Sequence, residues 1–223
     1  MDKSKIIFRH ATVNDIDFIV DTIVAAEKSG TDNFGLANLF EVTEAEMRNY
    51  IKEMLEEEID GCELSLSSFI VAEYEGEAVA AFGGWIEGRN EADMPSALLK
   101  ANLINYYLPK EKVLASMAKT DIVKPLQIDR EAGAYQLEYS YTKPEYRGNG
   151  IMKTIIEQHI SEYQATTSMG GGKLQVHVFE NNTSAIKTYS KCGFSISKRF
   201  ESKDSRVLSY FPSNVELLME KTV

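Results

Sequence analysis

Positions 134–160 read AYQLEYSYTKPEYRGNGIMKTIIEQHI, and this order of elements leaves few folds open. A Tyr-rich run of β type, Tyr135 to Thr142, meets a Pro-led turn and a Gly-spaced RGNG, after which apolar residues recur at helical spacing. Where a strand delivers a Gly-rich turn onto a helix start, several backbone N–H groups lack partners inside the helix and point at one spot near its positive end. Such a spot suits a phosphate. Gly148 and Gly150 lack Cβ, so the backbone can approach a bulky diphosphate and take up dihedrals that other residues resist. Arg147 places a positive charge beside them, and Pro144 disfavours α geometry at Lys143, which ends the strand. Ile151, Ile155, Ile156 and Ile160 predict a helix face buried on a sheet. The spacing also fits an ordinary strand-to-helix turn. It is neither GxGxxG with a later acidic strand end nor GxxxxGK followed by Ser or Thr, which argues against a Rossmann unit and a P-loop.

Composition narrows the partners. With 223 residues, 43% hydrophobic and 10% aromatic, the chain can bury one sizeable core and reads as a single domain, 1–223. A net charge of -10 argues against a nucleic-acid backbone or an anionic membrane as principal partner. It suits a cationic amine substrate, or solubility alone. Two cysteines, Cys62 and Cys192, form no CxxC, and the start MDKSKIIFRH has no apolar signal core, so a reduced, cytoplasmic protein is expected. No run approaches the ~18 apolar residues of a membrane-crossing helix. His10, His159 and His177 have no metal-ligand spacing, and no metal is expected.

The segment PEYRGNGI with its apolar helix resembles the acetyl-CoA-binding signature of the GNAT family of N-acetyltransferases, Gln/Arg-x-x-Gly-x-Gly/Ala. Arg147 takes the first position and Gly150 the fourth; Met152 stands where the family prefers Gly or Ala. A second segment, LQVHVFENNTSAIKTYSKCGF, resembles the family's later strand and helix through Asn182, Ala185, Tyr189, Lys191, Gly193 and Phe194. The resemblance implies an α+β fold: a central mixed, mostly antiparallel twisted sheet flanked by helices. Residues 194–200 and 215–222 read as its last two strands.

The remaining elements follow from local signals. Positions 6–9 predict a strand, and Thr12 or Asn14 caps a helix of Ile16, Ile19, Val20 and Ile23 that runs to about Lys28. Positions 29–35 read as a loop. Thr43 and Glu46 form a capping box for a long helix, to about Glu58, with Met47, Tyr50, Met54 and Leu55 inward and the acidic run 56–58 solvated. Positions 68–74 and 78–87 form a hairpin about Glu75-Gly76-Glu77, and Gly83-Gly84 marks a bulge or close approach. Trp85 belongs to the core or to a ligand contact. Residues 90–133 are a helical insertion between the third and fourth strands, where simpler family members turn tightly. It reads as two helices broken at Pro109, with Tyr106, Tyr107 and Leu108 as one apolar group. It covers the acceptor pocket, makes a homodimer contact, or packs on its own sheet edge. Gly170-Gly171-Gly172 is a loop.

The resemblance also implies a mechanism, in which a primary amine attacks acetyl-CoA directly in a ternary complex. The strand end Ser140, Tyr141 and Thr142 splays and offers N–H groups to the pantetheine and the thioester oxygen. Arg147, Gly148, Asn149, Gly150, Ile151, Met152 and Lys153 hold the diphosphate, and Asn182 joins the coenzyme site. Tyr189, two helical turns after Asn182, protonates the leaving thiolate, or is a core tyrosine beneath Phe194. Glu138 shares a strand face with Thr142 if no bulge intervenes; it is the general base, a ligand for a cationic acceptor, or a structural partner. Cys192 is a nucleophile or a small residue near a helix end. The acceptor reads as a small-molecule amine, with a protein or peptide acceptor, or coenzyme binding without turnover, as alternatives.

Overall fold

A computed structural model describes residues 2–57, 59–91, 93–166 and 172–223. Seven strands form one sheet in the order β1-β2-β3-β4-β5-β7-β6: β1 Ile6–His10, β2 Phe69–Tyr74, β3 Glu77–Ile86, β4 Tyr135–Thr142, β5 Lys173–Phe179, β6 Ser195–Glu201 and β7 Val215–Thr222. Only the β4–β5 pair is parallel, so the sheet is mixed and mostly antiparallel. The helices are α1 Ile16–Lys28, α2 Gly35–Phe40, α3 Glu44–Glu56, α4 Ser96–Tyr107, α5 Lys110–Met117, α6 Thr120–Val123, α7 Ile151–Thr166 and α8 Thr183–Lys191. Among the described residues no helix is long and apolar enough to cross a membrane.

The sheet is a septum between two cores. On one face α7 and α8 cover Leu137, Leu174, Val176, Leu217 and Met219. On the other, α1 to α4 gather Ile19, Ile23, Phe40, Met47, Leu55 and Leu103. The four isoleucines of α7 are buried as their spacing predicts, each worth about 1.5–3 kcal/mol. That outweighs the few tenths of a kcal/mol by which Ile trails Ala as a helix former.

Local chemistry accounts for the element ends. Glu75 and Gly76 have φ of 53° and 86°, the two positive values that a tight two-residue hairpin turn requires. Thr43 accepts from the Glu46 N–H at 3.2 Å while Glu46 accepts from the Thr43 N–H at 2.7 Å, closing the capping box. Neither Thr12 nor Asn14 caps α1 itself: Thr12 caps the turn that leads into it, and Asp15 is the residue at the α1 N-cap. A short 3-10 turn, Val13–Asp15, precedes α1, and Asp15 accepts from the Thr12 N–H at 2.8 Å.

Three expectations change. Gly35 opens α2 instead of ending a loop, because it sits so close to Tyr210 that a Cβ would lie 1.5 Å from its carbonyl oxygen. The insertion breaks at Pro109 as expected but carries a third short helix, α6, and packs on α2 and α3, with its turn at Lys124–Leu126 against the edge strand β6. Tyr106 is 78% exposed, since helical neighbours point ~100° apart, and keeps its place in the expected group through an edge-to-face contact with the Tyr107 ring at 5.0 Å. Leu108 is buried, and the Tyr107 hydroxyl donates to Glu57. Glu58 and positions 170–171 of the glycine run lie outside the described residues.

Candidate active site

The site begins with a fault in β4. Gly83 pairs with Glu138 and Ala81 with Tyr141, so Tyr139 and Ser140 together oppose Phe82, and Tyr139 takes a φ of 60°. This is a β-bulge, two residues against one. Gly83 permits it: a Cβ there would come 2.9 Å from the Glu138 carbonyl. The extra residue reverses the side-chain alternation. Glu138 and Tyr139 therefore both turn to the α1 face, and Glu138 does not share a face with Thr142 as the unbroken period predicted. On its other edge β4 pairs with β5 only from Tyr135 to Leu137. Beyond that the strands part, and the edge from Glu138 to Thr142 faces a gap, the splay expected at Ser140 to Thr142.

The glycine loop lies at the end of this gap. Gly148 and Gly150 have φ of 76° and 85°, and nothing lies within 4 Å of where their Cβ atoms would stand. The first backbone bond of α7 runs from the Thr154 N–H to the Gly150 carbonyl at 3.2 Å. The N–H groups of Gly148, Asn149, Gly150, Ile151, Met152 and Lys153 find no acceptor among the described residues. This is the set that an anion at a helix start uses. Asn149 braces the loop by donating to the carbonyls of Tyr146 and Arg147 at 3.0 and 3.2 Å. The exposed Arg147 donates to the Thr142 carbonyl at 2.9 Å, tying loop to strand end. Ile151 is buried, and half-buried Met152 packs into the α7 core. Lys153 pairs with Glu157 at 3.5 Å on the surface.

Asn182 and Tyr189 come from α8. The Asn182 side-chain Oδ1 accepts from the Ala185 N–H at 3.2 Å as the helix cap, which occupies that atom. Tyr189 is 3% exposed; its ring stacks on Phe82 at 5.9 Å and leans on Phe194. Its hydroxyl reaches the Ser140 Oγ at 3.0 Å, at the gap. Burial pushes the phenol up to about 12, against the Ser140 hydrogen bond, so it stays protonated and can donate. Burial likewise pushes the Cys192 thiol up, which disfavours a thiolate there.

The α1 face of the gap holds charges that no local pattern announces. Glu63, 1% exposed, meets Lys100 at 2.9 Å and Arg130 at 3.2 Å. Burial pushes its carboxyl up, but Arg130 and then Lys100 outweigh this and hold it down to about 2. Arg130 also makes a short ion pair with Glu138, donates to the Ser96 Oγ at 3.0 Å and lies 5.1 Å from the centre of the Trp85 ring. Trp85 is thus core, with its N–H on Glu87 at 3.2 Å. Burial pushes Glu138 up while Arg130 opposes. Tyr139 donates to Glu27 at 3.0 Å, and burial pushes that carboxyl up too. His177, on β5, is held down to about 3 by burial and then Arg130, and its Nε2 is buried without a partner among the described residues. The sequence reading missed Glu27, Glu63, Lys100 and Arg130, which lie far apart in the chain.

Comparison with known proteins agrees with this geometry. No protein of curated function matches the chain in sequence. Solved structures share the fold. An N-acetyltransferase from Staphylococcus aureus Mu50 is 16% identical over 96% of this chain and 100% of its own, with a TM-score of 0.66. A polyamine N-acetyltransferase from Drosophila melanogaster, which forms N-acetylagmatine, is 12% identical over 98% and 100%, with a TM-score of 0.57. A ribosomal-protein-alanine N-acetyltransferase from Brucella melitensis is 15% identical over 97% and 99%, with a TM-score of 0.53. The family model for acetyltransferases of the GNAT family matches residues 36–194, spanning the bulged strand, the glycine loop and Tyr189. The chain belongs to the GNAT family of acetyltransferases, whose members use acetyl-CoA as cosubstrate.

Proposed function

We propose that the protein transfers an acetyl group from acetyl-CoA to the primary amine of a small, cationic molecule by direct attack in a ternary complex. The observation that carries this is the charge of the gap. Four carboxyl groups, those of Glu27, Glu63, Glu138 and Glu216, interact around it, and among the described residues Lys100 and Arg130 are the cations that interact with them. Two more carboxyl groups than cations stand there, and a positive acceptor entering the gap favours their ionised form. The naming of one fold neighbour as a polyamine acetyltransferase is consistent with that class.

The chain's own groups divide the work. The N–H groups of 148–153, with Arg147, hold the diphosphate. The unpaired edge of Ser140, Tyr141 and Thr142 holds the pantetheine and polarises the thioester oxygen. Tyr189, aimed by Ser140, gives its proton to the departing sulfur. Glu138, held by Arg130 at the bulge, draws the acceptor's ammonium toward the gap; its ion pair suits this better than proton uptake. Asn182 fixes α8, and with it the height of Tyr189.

The test is thiol release from acetyl-CoA by the full chain against diamines, polyamines, aromatic amines and N-terminal peptides. Small cationic amines are expected to be turned over. Acetyl-CoA binding without turnover of any amine, or turnover of peptides alone, overturns the proposal.

A further inference from the structure

The reaction needs a neutral amine, and the cluster contains one carboxyl group with neither an ion pair nor a hydrogen bond among the described residues. Glu216 lies on β7 between two aromatic neighbours: it pairs with Phe179 of β5 on one side and Phe200 of β6 on the other. Cross-strand partners share a face, so its carboxylate sits between two phenyl rings. Val215, Leu217 and Met219 point into the α7 core, which sends Glu216 to the α1 face with Glu138. Phe179 is three residues past Val176, where the β4–β5 pairing ends, so Glu216 stands level with the gap. Among the described residues its carboxylate has no hydrogen bond or ion pair, whereas Glu63 and Glu138 have Arg130 and Glu27 has Tyr139.

Resting on the acetyl-transfer reading, we propose that Glu216 is a catalytic residue: it takes the proton from the acceptor's ammonium group and so delivers the neutral amine to the thioester. The proton passes from nitrogen to a Glu216 oxygen. The freed lone pair forms the new N–C bond, the C–S bond breaks, and Tyr189 protonates the sulfur. A second proton, shed by the nitrogen as the amide forms, replaces the one Tyr189 gave. The only proton left to release to solvent is the one on Glu216.

The surroundings suit the role. Burial first, then Glu138 of β4 and Glu27 of α1, push the Glu216 carboxyl up to about 8, against Arg130 of the insertion and Lys100 of α4. Neutral His177 of β5 shares the face and adds no charge. A base in that range is matched to proton transfer near neutral pH. Glu138, by contrast, is bound to a guanidinium that disfavours its protonation.

The experiment is the pH profile of kcat/KM for one amine, in the wild type and in Glu216→Gln, with acetyl-CoA affinity measured alongside. The wild type should rise with a midpoint near pH 8 and fall as the amine loses its own proton. In Glu216→Gln the value at pH 8 should drop about 100-fold. The rising limb should then move to the ammonium pKa of whichever amine is used, with the acetyl-CoA Kd unchanged within about twofold. A wild-type limb that already tracks the amine, or a variant that keeps the limb near 8, overturns the assignment. If the wild type neither binds acetyl-CoA nor turns over amines, the acetyl-transfer reading falls as well. Stability gives a second check. A carboxyl raised to about 8 from ~4.5 favours the folded state below the lower value and loses that advantage as pH rises through 8. Glu216→Gln should therefore melt no lower than the wild type at pH 9, and a lower melting temperature there counts against an unpartnered carboxylate.

Discussion

The two faces of the sheet solve different problems. On the α7 face every large contact is apolar or internally satisfied. His159, the polar exception, reaches the Phe82 carbonyl at 3.0 Å and the Tyr135 hydroxyl at 2.8 Å. A carbonyl only accepts, so Nε2 carries the hydrogen and Nδ1 accepts from the tyrosine. On the α1 face an apolar core adjoins a cluster with two more carboxyl groups than cations among the described residues. The first face builds a packed platform beneath the glycine loop, while the second keeps unevenly paired carboxyls and cations next to the gap. The difference teaches where chemistry can be sought in this fold: unevenly paired carboxyls gather on the α1 face, beside the gap where the proposed acceptor would enter.

That contrast can be broken at Glu63. Glu63→Ala leaves Lys100 and Arg130 without their shared partner, a loss of about 3–5 kcal/mol. In a domain of this size it should lower the melting temperature by roughly 10 °C; a shift within roughly 2 °C would show that the network is solvated, not buried. The α7 face is probed by acid. Burial first holds His159 down to about 4, against its bond to Phe82, whereas an unfolded histidine titrates near ~6.5. The folded state takes the proton less readily. Stability is therefore intact above about 6.5 and falls toward pH 4, by roughly 3 kcal/mol at the bottom of the window. His159→Gln should flatten that limb in melting curves recorded against pH; an unchanged limb would place the titration elsewhere.

Smaller effects sharpen the site. Tyr189→Phe should slow acetyl transfer about 10- to 100-fold, ~1.4–2.7 kcal/mol, with acetyl-CoA affinity preserved. An equal loss of binding would reduce Tyr189 to its stacking on Phe82. Gly150→Val forces a side chain onto a φ of 85°, a strain of about 1–2 kcal/mol. Coenzyme affinity measured by calorimetry should fall roughly tenfold, and unchanged affinity would remove the loop from the site.

Much of the platform was legible because its signals are local. RGNG before four spaced isoleucines, the Thr43 capping box and the Glu75-Gly76 turn each act within a few residues, and each forms as read. Gly83-Gly84 announced a close approach, and both glycines prove crowded, Gly84 against Tyr135 and His159. The bulge itself was not visible: one extra residue at Tyr139 inverts the face of Glu138, and no spacing in YQLEYSYT records it. Gly35 shows the same limit, since its need for a missing Cβ comes from Tyr210.

The sequence alone determined the family, most of the elements and a glycine-led helix start with N–H groups left over, because propensity, capping and glycine dihedrals are properties of short segments. Only the tertiary structure decided which carboxylates are paired and which are free. Glu27, Glu63, Lys100, Arg130, Glu138 and Glu216 meet through packing, and their charge states depend on burial and on neighbours brought in from distant parts of the chain.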